Sequence, residues 1–288
     1  MTPTQLIILV LRASVIAMVF SIGLGVSPGD LLALIRRPGL LVRSLVSIFL
    51  VMLVAALGVA AIANLRHPIE IVIVALALAP IPPLLPKKET KAGGESGYIY
   101  GLLVAAALFA IVWIPLAITL VSRIVGISLS AGLSSVVTIV VVLIVAPLVA
   151  GALVNRYAPA FADRIRTTVA RLATLVLLAG LALILAKTWR TMLDLIGNGT
   201  LLALAGFVLV GLISGQLLGG PKAEDRSVLA LATASRHPGI ALYLATANFP
   251  QEKAIPAAVV LYLLVSTILA LPYVAWRRRS GAATLLEA

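Results

Sequence analysis

The 288-residue chain is 62% hydrophobic and 11% charged, with a formal net charge of +12, whereas a soluble domain carries about 25% charged residues. That surplus of apolar surface needs lipid, which excludes a soluble enzyme; the basic residues fall between apolar runs instead of forming a patch, which excludes nucleic acid as a partner. The lack of cysteine and the presence of only two histidines, His67 and His237, exclude disulfides, thiol nucleophiles and thiolate or histidine-rich metal sites.

In chain order, nine apolar segments are predicted as membrane helices: residues 5–26, 39–65, 68–85, 97–121, 127–154, 169–186, 201–218, 228–249 and 255–276. Their valine and isoleucine content does not argue for strands, because lipid forces each segment to satisfy its own backbone. Met1 to Leu6 lack the basic flank of a cleavable signal, so the first helix is expected to be retained. Arg12 within it reads as a snorkelling or partner-bound residue and not a ligand.

The third segment runs out through Pro80, Pro82 and Pro83 to Pro86, four prolines in seven residues, directly before Lys87 and Lys88. Proline lacks the amide donor and clashes with the preceding turn, so a helix is expected to break here. Glu89 and Glu95 read as surface partners of Lys87, Lys88 and Lys91. Gly93-Gly94 and Gly219-Gly220-Pro221 read as loop breakers, and Asn198-Gly199-Thr200 as a turn that also matches a glycosylation sequon. The eighth segment is interrupted by Ser235-Arg236-His237-Pro238-Gly239. A charged residue beside Pro-Gly at membrane depth costs about 2.5 to 3.5 kcal/mol on insertion scales and is by default a functional-site hypothesis.

Basic residues concentrate in alternate loops by about three to one, which predicts an outside N-terminus and a cytoplasmic C-terminus in a cell (inner) membrane. That topology makes the third and eighth segments antiparallel. Broken helices at corresponding places in opposed halves mark a secondary transporter built from inverted repeats. The expected organisation is a first repeat over 1–122 that lacks its first helix, a second over 127–276 and a cytoplasmic tail over 277–288.

The run Met18-Val19-Phe20-Ser21-Ile22-Gly23-Leu24-Gly25-Val26-Ser27-Pro28-Gly29-Asp30, followed by Arg36-Arg37-Pro38, resembles a shared helix and cytoplasmic turn of the bile acid:sodium symporter family. The resemblance covers nearly the whole chain. It implies an all-α fold with a panel domain from segments one, five and six, and a core domain from the others, with the two broken helices crossing in the core. It also implies sodium ligands that this sequence lacks. Where the family's first crossover ends in Ser-Asn, this chain has Pro80 to Pro86; on an alignment through Gly239 the family's glutamate falls at Ala232 and its Gln-Asn at Arg236-His237. Expected hydroxyl ligands fall near Leu103, Ala106 and Ala107, and an expected glutamine falls near Ile48.

The resulting expectation is a transporter of a small organic anion in the bilayer, without a cofactor, a metal ion or sodium coupling at the family's sites. Its substrate-binding candidates are Pro80, Pro82, Pro83, Pro86, Lys87, Lys88, Ser235, Arg236, His237 and Pro238. Lys87 and Lys88 read equally as cytoplasmic-loop residues, Arg236 as a snorkelling one, and His237 as either a proton-coupling group or a single structural hydrogen bond. The competing readings are a non-transporting or sensory protein that retains the fold, and a sodium-independent facilitator.

Overall fold

The computed structural model describes residues 3–26, 29, 34–83, 85–126, 129–130 and 132–286, and among these there is helix and no strand. The helices are α1 (Pro3–Gly23), α2 (Pro38–Ile62), α3 (His67–Leu78), α4 (Leu85–Lys91), α5 (Ser96–Val125), α6 (133–157), α7 (Pro159–Leu195), α8 (Thr200–Leu218), α9 (Ala223–Ala234), α10 (Pro238–Asn248) and α11 (Ile255–Leu286). Six of them, α2, α5, α6, α7, α8 and α11, are long and apolar enough to cross a membrane. α1 carries a shorter apolar stretch, Leu9–Gly23, and α3 is also shorter. The molecule is thus an all-helical polytopic membrane protein.

Proline opens α2, α3, α7 and α10, where the missing N–H has no helical acceptor anyway. α5 closes on Gly126, whose φ of +72° is the left-handed cap that glycine adopts without strain. The predicted third segment holds α3 and the break after it, with α4 following at its end, and the eighth divides into α9 and α10. Pro86 lies outside the first break, in the first turn of α4, where proline is tolerated. α11 runs on through the residues of the predicted tail, and Arg277 anchors it by donating to Ser227 Oγ (2.6 Å) and the Ala223 carbonyl (2.8 Å).

α1 lies against α6 and α7. A Cβ on Gly23 would meet the Leu148 carbonyl at 2.3 Å, and one on Gly151 the Phe20 carbonyl at 2.3 Å, so two backbones touch where only glycine fits. The remaining helices surround α3 and α9, and α8 approaches α9 equally closely at Gly211 and Gly215. α2 and α6 each contain a π-helical stretch, Val46–Val51 and Val141–Val145.

Candidate functional site at the crossing of two broken helices

α3 ends at Leu78 and α9 at Ala234, and the chain beyond each is extended. The last carbonyls of a helix have no partner within it. Just past the end of α3, two carbonyls of the extended chain are taken by the other break: His237 N–H donates to the Pro80 carbonyl (2.8 Å) and Arg236 Nη1 to the Ala79 carbonyl (3.3 Å). At the end of α9, the Tyr262 hydroxyl from α11 donates to the Ala234 carbonyl (3.0 Å). The two interruptions singled out in the sequence are therefore joined to each other.

Arg236 is 1% exposed. Its Nη2 donates to the Ile48 carbonyl, within the π-helical stretch of α2. A π turn shifts the hydrogen-bond register by one residue, so it can leave a carbonyl for another donor, and such turns recur at functional sites. The guanidinium thus bridges α2 and α3 through main-chain oxygens. Among the described residues no carboxylate lies within ion-pair distance of it. Its Nε, also buried, has no hydrogen-bond partner there. The guanidinium sits just past the C-terminal end of α3, where carbonyl dipoles favour a cation, and directly before the N-cap of α10.

His237 is the N-cap of α10, its Nδ1 accepting from Ile240 N–H at 3.4 Å. An accepting Nδ1 places the proton of the neutral ring on Nε2. That Nε2 is buried and has no partner among the described residues. Two adjacent residues therefore each leave one N–H donor unused inside the protein. Ser235, Pro82 and Pro238 are half-buried and Gly239 is exposed, so these residues form the accessible side of the crossing.

Pro80, Pro83 and Pro86 are buried. The backbone of Lys87 and Lys88 belongs to α4, and their side chains lie outside the described part of the structure, as do Ser27, Pro28 and Asp30 of the motif after α1. The position expected for the family's glutamate, Ala232, is fully buried, as are Ile48 and Ala106. Glu95 is a surface residue 3.6 Å from Arg37. Glu89 corrects the sequence reading: it is buried, because α4 continues past the break and turns this residue inward.

Sequence reasoning missed a set of hydroxyls beside the crossing. Ser47 Oγ on α2 lies 2.9 Å from Thr233 Oγ1 on α9 and 3.2 Å from Ser214 Oγ on α8, stapling three helices next to Ile48 and Arg236. The available signal was a hydroxyl at matching depth in three apolar runs. A cavity of about 370 Å³ between α2, α3, α5 and α10 is almost wholly apolar, with His67, Glu70 and Asn248 in its wall. Neither Arg236 nor His237 lines it, and Glu70 lies 3.6 Å from His67. The unpaired charge is at the crossing, which is why we place the site there.

A helical bundle with two broken helices joined at their breaks belongs to the class of polytopic membrane transporters. The model of the Sodium Bile acid symporter family matches residues 13–195, about two thirds of the chain, and the protein belongs to that family. The match spans α1 to α7; the second break, with Arg236, lies beyond it. Comparison with curated proteins finds no match.

Proposed function

We propose that the protein is a secondary transporter of a small organic anion, in which the group formed by α1, α6 and α7 moves against the remaining helices. In this reading the chain crosses the membrane nine times, with α3/α4 and α9/α10 each counted as one crossing. Its two halves are inverted repeats, and its C-terminus is cytoplasmic. One observation carries the proposal: a buried guanidinium with no carboxylate partner among the described residues sits where the two broken helices join. An uncompensated buried charge is costly. An anion reaching the accessible side of the crossing through Ser235 and Pro238 would offset it, and the unused N–H donors of Arg236 and His237 are suited to carboxylate oxygens.

The same observation argues against sodium at this place. Carbonyl oxygens beside a helix C-terminus are what a monovalent cation would need, and here a tethered cation already holds them. The test is uptake of labelled acetate, pyruvate, benzoate and cholate into proteoliposomes, with and without sodium and proton gradients. Uptake that ignores sodium, together with at least about a tenfold loss in Arg236→Ala, equivalent to about 1.4 kcal/mol, supports the reading. Sodium-driven uptake, or unchanged flux in a correctly inserted Arg236→Ala, sinks it. Uptake driven by neither gradient identifies a facilitator, and no uptake of any anion identifies a non-transporting relative.

A further inference from the structure

The broken third segment keeps one more ionisable group out of water. Glu89, on α4, is 2% exposed. α4 is a short segment held between the prolines of 80–83 and the Gly93-Gly94 turn. Gly93, with φ of +84°, donates to the Thr90 carbonyl (3.1 Å), and Gly94 to the carbonyl of Glu89 itself (3.0 Å). A Cβ on Gly94 would lie 2.4 Å from Val228 Cγ2, so this turn seats α4 directly on α9. The segment is thus bounded by extended chain on one side and a glycine turn on the other, and its middle holds a buried carboxyl.

α4 packs on α5, α9 and α11. Four buried or half-buried ionisable groups that these helices bring to this end of the bundle have other partners. Tyr98 on α5 has its hydroxyl 2.8 Å from Ser44 Oγ. Asp225 on α9, 1% exposed, is closed by Arg37, whose Nη1 and Nη2 both donate to it. On α11, Tyr273 donates to Gln216 Oε1 (2.6 Å), and Arg277 is spent on Ser227 and Ala223. Lys87 and Lys88 precede Glu89 on its own helix, their side chains outside the described residues. Among the described residues no basic side chain is within ion-pair distance of Glu89. Removal from water penalises the charged form of a carboxyl.

We propose that Glu89 is a proton-binding site of the core, neutral while α4 is seated on α9 and ionised when α4 swings away. On release, the carboxyl O–H bond breaks and the proton passes to water on the side to which α4 opens; reseating takes a proton back from water. The consequence for coupling rests on the transport reading above: proton exchange accompanies movement of the short helix that follows the first break.

The experiment uses the full chain in three measurements. Infrared spectra at pH 7 should show a neutral-carboxyl band that Glu89→Gln lacks; a wild type without that band overturns the site. Thermal unfolding across pH gives the second readout. A carboxyl that is protonated in the folded chain and ionised in the unfolded one makes stability fall as pH rises. Glu89→Gln should therefore gain on wild type as pH rises, and Glu89→Asp should keep the wild-type slope; a pH-independent difference between wild type and Glu89→Gln overturns the proposal. In proteoliposomes, stimulation of labelled-benzoate uptake by a pH gradient should fall to onefold in Glu89→Gln while exchange at equal pH persists. Stimulation that survives overturns the coupling. Absence of wild-type uptake sinks the transport reading and the coupling together, and the infrared and unfolding results still decide the proton site.

Discussion

Arg236 shows how a single residue can be costly and still structurally determined. Its hydrogen bonds to the Ile48 and Ala79 carbonyls are made by a charged donor, and such bonds contribute about 1.5 to 3 kcal/mol each. Arg236→Ala removes both and leaves two buried carbonyls unpaired around a space shaped for a guanidinium. Millimolar free guanidinium should then raise the melting temperature of Arg236→Ala and leave wild type unchanged; equal response of the two proteins would show that the carbonyls do not form a cation cradle. Tyr262→Phe strips the hydroxyl from the Ala234 carbonyl at the end of α9. Its expected cost is about 1 kcal/mol, read as a lower melting temperature with the fold retained.

At the level of elements, close approach of backbones fixes the arrangement around the breaks. Lipid tails are as apolar as the side chains, so helices associate through packing and hydrogen bonds, and small residues allow the closest contact. A Cβ on Gly215 would lie 2.4 Å from Ala230 Cα and one on Gly211 2.7 Å from Ala234 Cα, which locates α8 against the last turns of α9. Gly215→Leu should destabilise by about 1 to 3 kcal/mol through overpacking, and a melting temperature unchanged from wild type would refute that contact. Gly206→Leu, where an added Cβ meets nothing within 4 Å, is the matched control. The Ser47, Ser214 and Thr233 hydroxyls lie along the same α2–α8–α9 seam, so the π-helical stretch that exposes Ile48 to Arg236 is itself held from both sides.

For the whole molecule, alternating access makes a prediction about labelling. The chain has no cysteine, so a single introduced one reports without background. Ser235→Cys, at the accessible side of the crossing, should react with a membrane-impermeant maleimide added from one side, and a transported anion should slow that reaction. Equal labelling with and without every anion tested would separate the crossing from the substrate path. Lys222→Cys and Lys253→Cys, both in loops around the α9/α10 pair, should label from opposite faces if that broken pair spans the bilayer.

Composition and the length of the apolar runs determined that this is a helical membrane protein, because such runs have one solution in lipid. Both interruptions were legible too, since proline and a charged residue cannot pass unnoticed through an apolar run. The tertiary structure alone decided that the breaks bond to each other, His237 to Pro80 and Arg236 to Ala79, across about 157 residues of chain. It also turned Glu89 inward, although its neighbours in sequence are polar and basic. Local residue type fixes where a helix must stop; which carbonyl the freed backbone finds, and which carboxyl loses water, depends on the helices that pack around it.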